Sequence, residues 1–102
     1  MRIFTRKGLR DFSRRYPDIA DAIEKFERIV QEAEWGSLQD VRRIYPHADA
    51  VTVASGRTAT VFNLGGNKYR LVVAIHYNTQ RLYVLCLLTH AEYSRDLWKD
   101  NL

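Results

Sequence analysis

Between Val61 and Tyr93 the chain reads VFNLGGNKYRLVVAIHYNTQRLYVLCLLTHAEY, and most of the polar side chains in its strand-like stretches suit one chemistry. Metal-free cleavage of RNA needs a base to activate the ribose 2′-OH, cations to stabilise charge on the phosphoryl oxygens, and an acid to protonate the leaving 5′ oxygen. Lys68, Arg70, His90 and Tyr93 could supply all three. Arginine offers a planar fork to a phosphate, and lysine a mobile point charge. Taken singly, each of these residues reads as well as a solvated, strand-ending or packing side chain. Their convergence on one face is what would make a site, so the register of the strands decides.

Two turns set that register. Gly65-Gly66 predicts a two-residue hairpin loop, because both central positions of such a turn favour positive φ. Leu64 would then face Asn67, with Asn63 beside Lys68 and Val61 beside Arg70. Asn78-Thr79-Gln80 predicts a three-residue loop that sets Tyr77 against Arg81, His90 beside Lys68 and Leu88 beside Arg70. With side chains alternating along each strand, one face carries Asn63, Lys68, Arg70, His76, His90 and, by extension, Arg57. The opposite face carries Phe62, Tyr69, Leu71, Val73 and Ile75, a core face.

The elements around this segment follow from periodicity and breakers. Met1 to Thr5 can form a strand, and Thr5 or a neighbour can cap a helix running to about Tyr16. Pro17 suits the first turn of a second helix, whose stripe is Ile19, Ile23, Phe26, Ile29, Val30 and Ala33. Gly36 is expected to stop it. Ser37 is expected to cap a short third helix over Leu38 to Ile44, closed by Tyr45-Pro46. Strands are expected over Val51 to Ala54, Thr58 to Asn63, Lys68 to Tyr77 and Arg81 to Thr89. The last, apolar at nearly every position, reads as a central strand buried on both faces. A short helix over Ala91 to Trp98 would end the chain. The fold class is α+β, with helices covering one face of a mainly antiparallel sheet and leaving the other partly open.

Composition narrows the functions. The 102 residues make one domain, 1–102, and a hydrophobic fraction of 46% fits a folded chain. Residues 1–40 carry eight basic and eight acidic side chains and balance. Residues 41–90 carry six basic ones (Arg42, Arg43, Arg57, Lys68, Arg70, Arg81) and only Asp49 as an acid, a local excess of about +5 that suits a polyanion. No apolar run approaches the roughly 18 residues of a membrane span, and the N-terminus lacks a signal-like apolar segment, so a cytoplasmic protein is expected. The one cysteine, Cys86, lies in an apolar strand and reads as a buried structural thiol. There is no cysteine–histidine metal pattern, no phosphate-cradling glycine loop of useful form and no Ser-His-Asp spacing, so neither metal nor cofactor is expected. His47 and His76 read as structural or surface residues, and Trp35 and Trp98 as packing.

Three words of the sequence carry a resemblance: WGSLQDVRRIYPHADAV (Trp35 to Val51), VFNLGGNKYRL (Val61 to Leu71) and THAEY (Thr89 to Tyr93). Together they resemble the HigB toxins of bacterial type II toxin–antitoxin systems, within the RelE-like superfamily. That resemblance covers nearly the whole chain. It implies a ribosome-dependent mRNA endonuclease that cuts codons in the ribosomal A site without a divalent metal, and a cognate antitoxin with a helix-turn-helix domain. Carried over residue by residue, the pattern points to Asn63, Asn67, Arg70, His90 and Tyr93. Lys68 joins them by chemistry and position, and Lys99 is a further cation if the C-terminal helix folds over the site. Of these, Arg70, His90, Tyr93 and Lys68 are the expected catalytic set, and Asn63, Asn67, Arg57 and Lys99 the expected RNA contacts. The chain has Ser94 where similar proteins often have an acid after the tyrosine, with Asp96 nearby. Two other readings stand beside it: a non-catalytic RNA- or ribosome-binding module using the same basic face, and a degraded family member that persists only as an antitoxin-binding or operator-binding corepressor.

Overall fold

In the computed structural model, which describes residues 1–102, the amphipathic stripe of the long helix is the base on which the sheet rests. After a 3₁₀ turn at Pro17–Ile19, helix α2 (Ala20–Glu32) buries Ile23, Phe26 and Val30, and Ile19 is buried just before it. Strand β1 (Arg2–Phe4) and helix α1 (Arg6–Arg15) precede it, and α3 (Leu38–Ile44) follows. Strands β2 (Asp49–Thr52), β3 (Thr58–Leu64), β4 (Tyr69–His76) and β5 (Arg81–Thr89) lead to the short helix α4 (His90–Ser94) and a final 3₁₀ turn, Leu97–Asn101. The sheet order is β1-β5-β4-β3-β2, antiparallel except for β1, which pairs parallel with β5. The expected α+β architecture is the observed one. Phe62, Leu71 and Val73 face the helices, and Phe26 meets Phe62 edge-on with centroids 4.9 Å apart.

Local chemistry differs from expectation at the helix ends. Thr5 stands at the start of α1 with a left-handed φ of 67° and makes no cap; its hydroxyl instead donates to the Val84 carbonyl and accepts from the Val84 amide, both at 2.9 Å. The α2 helix stops at Glu32, before Gly36, because Ala33 turns extended and carries the chain to the buried Trp35. Ser37 precedes α3 without capping it; the Asp40 carboxylate takes the Gly36 amide at 2.8 Å instead. The last helix is split in two after Ser94, and β2 begins two residues earlier than its apolar residues suggest.

Both hairpins depart from the expected loops, with different consequences. The first loop is four residues, Gly65 to Lys68, so Leu64 pairs with Tyr69, Asn63 with Arg70 and Val61 with Val72. Three successive left-handed residues, Gly65 (φ 61°), Gly66 (φ 60°) and Asn67 (φ 80°), make the wider turn. Asparagine tolerates that region better than most side chains, so the run extends past the glycines. The slip is two residues, and an even slip keeps every side chain on its face. The second loop also spans four residues, Tyr77 to Gln80, which sets His76 against Arg81. A bulge opposite Val72/Val73 leaves Leu85 unpaired and restores the expected pairing beyond it, Arg70 with Leu88. The bulge undoes the one-residue slip of the loop.

The sheet face turned away from the helices is less open than expected. Val53, Ala59, Val61, Val72 and Trp98 form a second buried cluster there, closed by the C-terminal turn. The expected burial of β5 on both faces is not seen, because Leu85 bulges into solvent and Cys86 and Leu88 are half-buried. The interior strands with continuous burial are β3, from Ala59 to Phe62, and β4, from Arg70 to Val73. Cys86 lies in this half-covered zone, and burial pushes its thiol up to about 11, a protonated and unreactive state at neutral pH.

Candidate active site

The four-residue turn and the start of α4 meet at one end of the second sheet face, where the His90 amide donates to the Lys68 carbonyl at 2.9 Å. This bond extends the β4–β5 ladder into the helix and puts His90 next to Lys68, as the register argument expected. Thr89 makes the transition from strand to helix. Its hydroxyl accepts from the Glu92 amide, and Glu92 accepts from the Thr89 amide, a reciprocal capping box. The Thr89 amide holds the Glu92 carboxyl below the usual carboxylate range, with attraction from Arg15 and Arg95 adding to it. A group held low in the folded state stabilises above its unfolded pKa, and that contribution disappears as pH falls through the folded value. Thr89→Ala keeps the Thr89 amide but removes the hydroxyl that caps the Glu92 amide, and should cost about 1 kcal/mol at neutral pH. Denaturant unfolding should show the loss, and an unchanged midpoint at neutral pH would show that α4 stands without its cap.

Arg70 is the centre of the cluster, and it is only 8% exposed. The expectation that it lies on an open face is corrected: it is buried at the edge of the second cluster, its charge met by dipoles and no acid. One terminal nitrogen, Nη1, donates to the carbonyls of Asn67 at 3.0 Å and Tyr69 at 3.2 Å. The other, Nη2, lies 3.1 Å from His90 Nδ1. The guanidinium carbon sits 5.5 Å from the centroid of the Tyr93 ring, a cation–π distance. A guanidinium has five N–H donors and no acceptor. Three are engaged, which leaves the Nε–H and one Nη2–H for a ligand. Because Arg70 can only donate, His90 Nδ1 must accept, so the ring proton of the neutral imidazole is on Nε2. His90 is exposed and presents that N–H to solvent.

The other expected residues divide by position. Asn63 donates through Nδ2 to Asn67 Oδ1 at 3.2 Å, so the two amides brace the turn whose Asn67 carbonyl holds Arg70. Lys68 is exposed on the turn and pairs with no carboxylate. Tyr93 is half-buried, with its ring between Arg70 and Trp98. Lys99 bridges to Asp96 at 3.2 Å and lies 5.8 Å from the Trp98 ring centroid. His76 shares the facing of Arg70 but lies six residues along β4, roughly 20 Å away, and Arg57, just before β3, lies at that same far end of the sheet. They are not brought into the cluster. His76 instead meets Tyr83 edge-on at 5.3 Å.

The sequence reading did not single out Trp98 for more than packing. It is packing, 7% exposed, but one of its partners is Tyr93, with ring centroids 5.4 Å apart. No carboxylate joins the site: Glu92 is engaged with Thr89 and Asp96 with Lys99. No group of three or more histidine, cysteine, aspartate or glutamate residues could hold a metal ion. No helix is long and apolar enough to cross a membrane. The cluster offers two free guanidinium donors, an outward imidazole N–H, an exposed ammonium and a phenol, a set that fits a phosphodiester.

Known proteins match the same stretch of chain. A family model described as HigB_toxin, the RelE-like toxic component of a toxin–antitoxin system, matches residues 19–96. The chain is 25% identical over 95 residues to the mRNA interferase HigB of Escherichia coli O6:H1, covering 93% of this chain and 90% of that one. It is 25% identical over 93 residues to the mRNA interferase toxin HigB of Escherichia coli K12, covering 91% and 88%. The mRNA interferase HigB of Shigella flexneri matches to the same extent as the latter. The family match runs from the end of the Pro17–Ile19 turn through α4 and so spans every residue from Asn63 to Tyr93. The chain belongs to the HigB family of RelE-like toxins, the toxic components of toxin–antitoxin systems.

Proposed function

We propose that this protein is an endoribonuclease toxin that cuts mRNA, is silenced by a cognate antitoxin, and acts in the cytoplasm. The observation that carries the reading is the 3.1 Å contact between Arg70 Nη2 and His90 Nδ1, which leaves donors of both side chains free. The relatives named mRNA interferases support the same chemistry. In the proposed reaction the ribose 2′-oxygen attacks the adjacent phosphorus, the P–O5′ bond breaks, and a 2′,3′-cyclic phosphate and a 5′-OH result. The two free Arg70 donors meet the phosphoryl oxygens where charge builds, and the Lys68 ammonium adds to that field from the exposed turn. His90 takes up a proton at Nδ1 from water, giving up the Arg70 contact, and as the imidazolium donates from Nε2 to the departing 5′ oxygen. With no carboxylate in the cluster, stabilisation of charge rather than a strong base drives the attack, and the 2′-OH proton leaves to water.

The mRNA is engaged on the ribosome, as the resemblance implies, and the antitoxin is of helix-turn-helix type with an acidic surface suited to the basic strand-rich half. Inducible expression with mapping of mRNA ends tests the activity: growth arrest with new 5′-OH ends inside translated messages is expected. Co-expression of the neighbouring antitoxin gene should restore growth. Absence of cleavage with retained, salt-sensitive RNA affinity would leave a binding module instead.

A further inference from the structure

The path by which the second core reaches the candidate site runs through one side chain. After α4, Asp96 adopts a left-handed backbone (φ 61°) and turns the chain into Leu97–Asn101. The turn is tied to the far side of the sheet, where the Ala54 amide donates to the Lys99 carbonyl at 3.0 Å. Trp98 points inward among Val53, Ala59, Val61 and Val72. Its indole stacks on Tyr93 at 5.4 Å with the planes 21° apart, and its Nε1–H donates to the Tyr93 carbonyl at 3.2 Å. One residue thus holds both the backbone and the ring of Tyr93. Another neighbour of that ring is the Arg70 guanidinium, and Arg70 in turn meets His90. Helix α4 has five residues, too few to be rigid without tertiary support.

We propose that Trp98 is a positioning residue for the cleavage reaction: its indole fixes the Tyr93 ring, and that ring is the wall that keeps the Arg70 guanidinium turned toward His90. The activity arm of this proposal rests on the endonuclease reading; the structural arm does not. Trp98 lies beyond the residues matched by the family model, which end at 96, so the family match does not supply this role.

Loss of the stack should act on geometry. Trp98→Leu and Trp98→Met keep apolar volume and remove the flat ring, whereas Trp98→Phe keeps a stacking ring and removes only the Nε1–H. Circular dichroism and melting identify the folded variants. In the parent, imidazole nitrogen resonances should report His90 as a single Nε2–H tautomer. They should move toward a tautomer mixture in Trp98→Leu or Trp98→Met and stay parental in Trp98→Phe. Cleavage of translated mRNA should fall about ten- to a hundred-fold in kcat with little change in KM, the scale expected for a misplaced reacting group. Because the effect passes through Tyr93, adding Trp98→Leu to Tyr93→Ala should cause no further loss.

Equal, additive losses in the two backgrounds would reduce Trp98 to a purely structural residue. Unchanged His90 resonances in folded Trp98→Leu and Trp98→Met would overturn the positioning role outright. If the parent itself cleaves nothing, the endonuclease reading falls, and the His90 resonances alone decide the positioning one.

Discussion

Arg70→Ala should reduce cleavage of translated mRNA by about 10²–10³-fold, the effect of removing one preorganised donor from a developing oxyanion, or about 2.7–4 kcal/mol. The burial of Arg70 adds a second consequence. Its side chain engages the Asn67 and Tyr69 carbonyls and His90, and it lies against the Tyr93 ring. Truncation leaves those partners unmet, so the variant should fold but lose about 1–3 kcal/mol of stability. Arg70→Lys separates charge from geometry. An ammonium cannot satisfy both turn carbonyls, hold His90 and still offer two donors side by side. Its activity should lie nearer to Arg70→Ala than to the parent. Arg28→Ala, an exposed position on α2, serves as the control and should stay fully active. Primer extension on translated mRNA, run beside thermal melting, checks the set, and parental cleavage by Arg70→Lys would remove the fork from the mechanism.

His90→Gln should lower cleavage by about 10²–10⁴-fold, the usual contribution of a positioned general acid or base. This substitution is informative because glutamine can imitate both contacts of the neutral ring. Its carbonyl oxygen can accept from Arg70, and its amide can donate outward. It cannot take up a proton and release it again as an imidazole does. His90 is exposed, so the fold and the position of Arg70 should be retained. A His90→Gln protein that cuts at the parental rate would show that His90 only holds Arg70 in place, and the acid would have to be sought elsewhere.

The elements that position these residues were legible because local signals agreed with one another. Pro17 and the stripe from Ile19 to Val30 specify the second helix, although its expected first turn is a separate 3₁₀ turn, and the apolar alternation from Thr58 onward specifies the strands. Arg70 and Leu88 were expected as partners and are partners, yet the loop that was to place them is one residue longer than expected. The compensating bulge at Leu85 has no marker in an apolar run where every residue looks alike. The Gly65-Gly66 turn widened because Asn67 also accepted a left-handed backbone, and the facing survived only because the slip was even.

By itself, the sequence determined which residue types could act together, the family they resemble, and the α+β order of elements, since these follow from composition, periodicity and short words. The tertiary structure alone decided that Arg70 is buried, that Arg57 and His76 lie at the far end of the sheet, and that Trp98 backs Tyr93. Burial and ring contacts depend on which distant segments close over a face. The segment that closes this one, Leu97–Asn101, is held by a single backbone bond to Ala54 and by an indole in a core built from β3, β4 and the turn after β2. Such contacts join residues dozens of positions apart, where periodicity along the chain carries no information.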